Sequence, residues 1–321
     1  MTAALDVKGL TTRFDTRGGS VTAVNNVSFS VDKGRILGIV GESGSGKSVT
    51  GFSILGLIDE PGKVVGGSVL IEGTDLRALS PDDMRGMRGR KVSMVFQDPM
   101  MTLNPVLRVG DQMAMAVRVH RPMSKPKALE EARRALEIVG IPSPAERLKA
   151  YPHQLSGGMR QRVAIAIALL HSPAVIIADE PTTALDVSIQ GQILAEVRRL
   201  ADQTGTAIVW ITHDLAVVSS LADDICVMYA GRIVERGTAE QVISAPRHPY
   251  TQGLLDSVPA QHEPGKPLPQ IPGSTPQLSR LPSGCPFRPR CPRATELCAT
   301  EPPVDDRDGQ IVLCHHPLER P

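Results

Sequence analysis

Aromatic residues are scarce in this 321-residue chain: one Trp, three Tyr and five Phe, 3% of the total. Single-strand nucleic-acid binders need aromatic platforms for base stacking, so that class is disfavoured. Charge of one sign is lacking too. The 35 Lys and Arg against 34 Asp and Glu leave a net +1, without the basic stripe that a nucleic-acid backbone demands. Long apolar runs are missing. The most apolar region, VAIAIALL (163–170) and AVIIA (174–178), is broken by His171, Ser172 and Pro173. Neither half approaches the ~20 residues needed to span a bilayer. The N-terminal MTAALDVKGL has no basic-then-apolar pattern, so a soluble, cytoplasmic chain is expected. Cysteine is rare. There are five, four of them crowded into the last forty residues, which suggests a local site rather than a disulfide framework.

What is present is 41% apolar residues, ample for a buried core, and enough length for about two domains. GESGSGKS (41–48) lies between an apolar strand-like run, RILGIV (35–40), and a helix-like run, VTGFSILGLI (49–58). This is the G-x-x-x-x-G-K-[ST] spacing in its strand–loop–helix context. Glycines let the backbone wrap phosphates with its N–H groups turned inward, and the positive end of the next helix faces the same anion. Lys47 can reach the β- and γ-phosphates and the Ser48 hydroxyl can sit on Mg²⁺. We assign Gly41, Ser43, Gly44, Gly46, Lys47, Ser48 and Val49 to the nucleotide.

Residues 5–40 predict short strands, with more at 67–73 and 91–97. Residues 107–150 have helical spacing, with Leu129, Ala132, Leu136 and Val139 on one face. Alternation then resumes: a helix at 155–170, a buried strand at 174–179, a helix at 186–203, a strand at 206–212, a helix, and a hairpin at 224–237. Such alternation implies an α/β core with a largely parallel sheet and ligands at the strands' carboxyl ends. AVIIADEP (174–181) ends a strand in adjacent carboxylates. Asp179 can hold Mg²⁺ and Glu180 can orient or deprotonate an attacking water; by itself such a pair is more often an ordinary acidic strand end. LSGGMRQR (155–162) opens a helix with a serine and two glycines, a second anion-binding terminus. One nucleotide does not need two such helix starts. A dimer in which each chain completes its neighbour's site does.

These residues resemble the nucleotide-binding subunits of ATP-binding cassette (ABC) transporters. LSGGM is similar to that family's signature motif, GESGSGKS to its Walker A and VIIADE to its Walker B. Gln97 in VFQDP resembles the Q-loop residue, TTALD (182–186) the D-loop with Asp186, and His213 in ITHD the switch histidine. The order and spacing match across roughly 1–245. The resemblance implies an α/β P-loop NTPase core with a mixed, largely parallel sheet, an antiparallel β subdomain and a helical subdomain at about 98–160. It implies two subunits closing head to tail on two ATP·Mg²⁺, with Ser156, Gly157 and Gly158 against the partner's nucleotide. Glu180 would act on the water, His213 on the γ-phosphate, and Gln97 would join Mg²⁺, held with Ser48 and Asp179, to the helical insertion. Phe14 is the candidate for stacking on adenine.

PRHPYTQGLLDSVP (246–259) and FQDPMMTLNP (96–105) resemble the oligopeptide, dipeptide and nickel importer ATPases within that class. The implied partners are a second ATPase chain, two membrane permease chains and an extracytoplasmic substrate-binding protein, with no nucleic acid, placing this chain at the cytoplasmic face of the membrane. Peptides are the expected cargo, with nickel or another small solute as the alternative. A non-transport ABC ATPase acting on nucleic acid or ribosomes is a different class, and it is disfavoured by the single cassette and the absence of heptads. About half of the 27 prolines lie beyond residue 258, so the stretch from Pro259 to the end is expected to be irregular and without an ordinary core, within an oligopeptide-transporter-type extension at 246–321. Its Cys285, Cys291, Cys298 and Cys314 are candidates for a [4Fe–4S] cluster, which some subfamily members carry. Zinc is the rival, kept open by His315 and His316 although C-x₂₋₄-C pairs are absent; a segment with no metal is the third reading. Cys226, on an apolar strand, is expected to be a small core residue.

Overall fold

The computed structural model describes residues 3–183, 185–258 and 269–319. The strands are β1 (Leu5–Thr16), β2 (Gly19–Val31), β3 (Ile36–Val40), β4 (Gly62–Ile71), β5 (Thr74–Asp75) and β6 (Val92–Val95). Further along come β7 (Val175–Asp179), β8 (Ala207–Thr212), β9 (Asp224–Tyr229), β10 (Arg232–Thr238), β11 (Val304–Arg307) and β12 (Gln310–Leu313). The helices are α1 (Lys47–Ile54), α2 (Pro81–Met87), α3 (Pro99–Thr102), α4 (Val109–His120), α5 (Lys125–Ile138) and α6 (Pro144–Arg147). They continue as α7 (Gly157–Leu169), α8 (Val187–Thr204), α9 (Leu215–Leu221), α10 (Ala239–Ser244) and α11 (Pro249–Asp256).

The chain divides into two compact units. The first comprises Met1–Leu5, Val31–Arg35 and Leu70–Val209; the second comprises Asp6–Ser30, Ile36–Val69 and Trp210–Pro321. In the first unit β6 and β7 are parallel neighbours, Val92 opposite Val175 through Val95 opposite Ala178. Every residue of β7 is buried. Strands covered on both faces read as continuous apolar runs, which is why VIIAD carries no alternation. The helical insertion lies in this unit as α4, α5 and α6. On α5 the buried positions are Ala128, Ala132, Ala135 and Leu136, with Val139 just beyond. Leu129, expected on that face, is half-buried instead. On α8 the helical spacing of Ile189, Ile193, Val197 and Leu200 predicts a buried stripe; Ile193, Val197 and Leu200 are buried and Ile189 is half-buried.

In the second unit β3 pairs with β9 in parallel and β9 with β10 antiparallel, the hairpin expected at 224–237. The strands of the N-terminal stretch are longer than expected, 12 and 13 residues in β1 and β2, and their order with β4 is β2-β1-β4. Helix α1 ends at Ile54, four residues short of the expected 58, where Gly56 turns left-handed at φ 60°. The described part of the tail is more regular than its prolines suggest. Strands β11 and β12 form a hairpin, and β12 adds to β10, Glu235 opposite Val312. Its turn is Asp308-Gly309, both at positive φ, the two-residue hairpin chemistry that favours Asp-Gly.

Around that hairpin a buried polar network pins the extension. Glu235, fully buried, accepts from the backbone N–H of Arg247 (2.7 Å) and His248 (2.8 Å) and from Gln310 Nε2 (2.8 Å). Buried Arg247 pairs with Asp305. His248 caps α11, its Nδ1 accepting from Tyr250 N at 3.0 Å; burial holds its pKa down at about 3, so it is a neutral cap.

Candidate functional site

The phosphate loop lies in the second unit, at the carboxyl end of the fully buried strand β3. Gly41 sits at φ 153°, and a Cβ there would meet Met228 O at 2.2 Å; Gly46, at φ 100°, would meet Ala23 O at 2.4 Å. Only glycine fits the backbone at these two points. Gly46 caps α1 without a side-chain bond, so the helix's first N–H groups are not blocked by a capping side chain. Lys47 is 5% exposed, its Nζ donating to Gly41 O (2.8 Å) and Glu42 O (2.9 Å). Ser43 and Gly44 are exposed, and Ser48 and Val49 half-buried. Phe14, on β1, is half-buried with its ring over Gly62, where a Cβ would come within 2.5 Å of Phe14 Cε1. His213 directly follows β8 and is exposed, after the buried Thr212.

The carboxylates lie in the first unit, at the end of β7. Asp179 is buried, at 5% exposure. Glu180 sits at φ 44°, a left-handed conformation that costs a non-glycine residue roughly 1–2 kcal/mol. Its Oε2 accepts from Gln97 Nε2 (3.2 Å) and from Thr183 Oγ1 (3.1 Å). The structure therefore brings together Gln97 and Glu180, residues 83 positions apart in the chain. In the same unit Ser156 caps α7 by accepting from Met159 N at 3.3 Å, so its side chain and Gly157 stand at a helix start. Gly158 packs on α8, a Cβ there meeting Ile189 Cγ2 at 2.8 Å. Asp186 caps α8, accepting from Ile189 N (2.9 Å) and from Ser188 Oγ (2.7 Å). The Ile189 backbone bond is the main cause holding the Asp186 carboxyl below its ordinary range.

A phosphate loop of this geometry, with a strand-end carboxylate pair, defines a P-loop nucleotide-binding protein. The family model described as ABC transporter matches residues 24–183, and that for the oligopeptide/dipeptide transporter C-terminal region matches 234–298. The chain belongs to the ABC transporter ATP-binding subunits, in their oligopeptide and dipeptide branch. It is 48% identical over 318 residues to the oligopeptide transport ATP-binding protein OppD of Escherichia coli (strain K12), covering 99% of this chain and 94% of that one. It is 51% identical over 299 residues to the dipeptide transport ATP-binding protein DppD of Bacillus subtilis (strain 168), covering 93% and 89%. Among solved structures, a dimeric post-hydrolysis state of the ATP-binding cassette MJ0796 bound to ADP and Pi matches with a TM-score of 0.66. Identity there is 28%, over 73% of this chain and 98% of that one.

The four tail cysteines all lie in the second unit. Cys285, Cys298 and Cys314 are buried and Cys291 is half-buried. Cys285 N donates to Cys298 O at 3.0 Å. Burial pushes the Cys314 thiol up to about 11, with smaller rises from the charges of Cys285, Cys291 and Cys298. The soft sulfur set suits iron–sulfur or zinc chemistry. Among the described residues, however, no group of three or more His, Cys, Asp or Glu side chains is arranged to hold a metal ion. Cys226 is 1% exposed and burial pushes its thiol to about 12, the inert core residue expected.

Sequence reading missed Glu42, Tyr250 and Arg290. Tyr250 Oη accepts from Glu42 N at 2.8 Å, and Arg290 clasps the Glu42 carboxylate. From its sequence the HPY stretch reads as no more than a loop-to-helix entry. A pair 248 positions apart leaves no local signature that could have revealed it.

Proposed function

We propose that this chain is the ATP-hydrolysing subunit of a membrane ABC importer for di- or oligopeptides, peripheral at the cytoplasmic face. The observation that carries the catalytic part is Glu180: a carboxylate strained at φ 44° at the end of a buried strand, hydrogen-bonded by Gln97. Strain of that kind persists where function requires it. Among the described residues no helix is long and apolar enough to cross a membrane, so the permease would be supplied by separate chains.

In this reading Gly41, Ser43, Gly44, Gly46, Lys47, Ser48 and Val49 hold the nucleotide and Phe14 stacks on adenine. Hard oxygen donors suit Mg²⁺, and Ser48, Gln97 and the buried Asp179 are the residues that would hold it; the ion would neutralise charge on the phosphate oxygens. Glu180 takes a proton from the attacking water and His213 holds the γ-phosphate. Ser156, Gly157 and Gly158 act on the ATP of the second ATPase chain, a heterodimer partner, with Asp186 at the D-loop. The cassette spans 1–245, with its helical subdomain at about 98–160, and the transporter-type extension 246–321. Co-purified with permeases and a binding protein, the complex is expected to raise its ATPase rate with di- or oligopeptide and not with Ni²⁺. Stimulation by Ni²⁺ alone would move the cargo to nickel.

For the tail we propose a [4Fe–4S] cluster on Cys285, Cys291, Cys298 and Cys314, with a structural role. Four unpaired cysteines within one short segment, three of them buried, support it; the lack of a metal-ready arrangement among the described residues weighs against it. Anaerobically purified protein is expected to carry iron and acid-labile sulfide and to absorb near ~400 nm, a signal lost on Cys291→Ser. Stoichiometric zinc without iron would replace the cluster.

A further inference from the structure

Glu42, the second residue of the phosphate loop, has every polar group committed. Its N–H donates to Tyr250 Oη (2.8 Å) and its carbonyl accepts from Lys47 Nζ (2.9 Å). Its carboxylate accepts from Arg290 through both terminal nitrogens, Nη1 to Oε2 at 2.6 Å and Nη2 to Oε1 at 2.9 Å, and from Thr275 Oγ1 at 2.8 Å. Bidentate pairing of this form fixes geometry as well as charge. The Arg290 side chain is 5% exposed against 29% for Glu42. Its Nε donates to Pro272 O at 2.8 Å, and its guanidinium lies 5.9 Å from the Tyr229 ring centroid and 6.0 Å from that of Phe287. The arginine is thus locked from behind. Its bonds hold the Glu42 carboxyl below its ordinary range, so the pair is charged on both sides.

We infer that Arg290 is a positioning residue for ATP: through Glu42 it fixes the start of the phosphate loop and neutralises a carboxylate that would otherwise repel the polyphosphate. Glu42 is itself negative and one residue from Gly41, where the loop turns. Its carbonyl also steers Lys47. Freed, the carboxylate would swing beside a site built for anions and compete for the lysine. The arginine comes from the Cys-rich segment, next to Cys291, so the extension supplies an outer support to the loop rather than only an appendage. All the residues involved lie in one compact unit.

The inference rests on the loop binding ATP, and the two can fail separately. ATP is titrated onto the full-length chain, with Lys47→Ala as the binding-defective control. Arg290→Met is expected to raise the ATP Kd about tenfold, the scale of a lost charged hydrogen-bonded pair. In the assembled complex KM for ATP should rise alike while kcat at saturating ATP stays within about twofold of wild type, because uniform binding is what has been removed. Arg290→Lys should fall between. Glu42→Gln added to Arg290→Met should recover part of the affinity, since no orphan charge remains. A Kd for Arg290→Met within twofold of wild type, in protein shown folded by its thermal transition, overturns the inference, as does a double variant no better than the single. If wild type itself does not bind ATP, the functional reading fails first.

Discussion

A complex carrying Glu180→Gln in this chain binds ATP with wild-type affinity and hydrolyses it on the order of 10²–10⁴ times more slowly at this chain's site, the share that general-base catalysis supplies. The substitution keeps size and most hydrogen bonding. Gln97 Nε2 and Thr183 Oγ1 both donate to Glu180 Oε2, and an amide oxygen can accept both. What the amide cannot do is take a proton from water. Binding is spared because Glu180 belongs to the strand-end group and not to the phosphate loop. The left-handed φ of 44° is equally unfavourable for Gln, so the fold pays no new penalty. Turnover close to wild type would remove Glu180 as the base.

Lys47→Ala is expected to weaken ATP binding about a hundredfold, a charged hydrogen bond being worth about 1.5–3 kcal/mol in such a setting. Two effects combine. In the proposed role the ammonium, 5% exposed, would be the loop's cation for the β- and γ-phosphates. It also holds the loop together through the Gly41 and Glu42 carbonyls, at 2.8 and 2.9 Å. Removing it takes away charge and preorganisation at once. Hydrolysis falls with occupancy, in contrast to Glu180→Gln, and equilibrium titration with a fluorescent ATP analogue separates the two. Affinity near wild type would show that backbone N–H groups carry the phosphate without it.

Much of the site was legible because its chemistry is local. A glycine-rich loop after RILGIV, a carboxylate pair after VIIA and a Ser-Gly-Gly helix start each announce themselves within eight residues. The fully buried strands β3, β7 and β8 were legible as apolar runs for the same reason. Long-range polar pairing was not. Arg290 meets Glu42, and Glu235 meets Arg247, His248 and Gln310, through bonds that no periodicity encodes. The β11–β12 hairpin is a different failure. Asp308-Gly309 between VDDR and QIVL is an ordinary turn signal, masked by the prolines around it. Composition hides these last strands, which their residue pattern shows.

The proposed mechanism places ATP binding on the phosphate loop and cleavage on Glu180. Its most direct test is to measure bound and hydrolysed ATP on the same preparations of the complex, with each variant confined to this chain. The expected result is that wild type binds and hydrolyses, Lys47→Ala binds about a hundredfold more weakly and hydrolyses only in proportion to its occupancy, and Glu180→Gln binds with hydrolysis nearly abolished. Hydrolysis by Glu180→Gln at the wild-type rate, or ATP retained at wild-type affinity by Lys47→Ala, would contradict it.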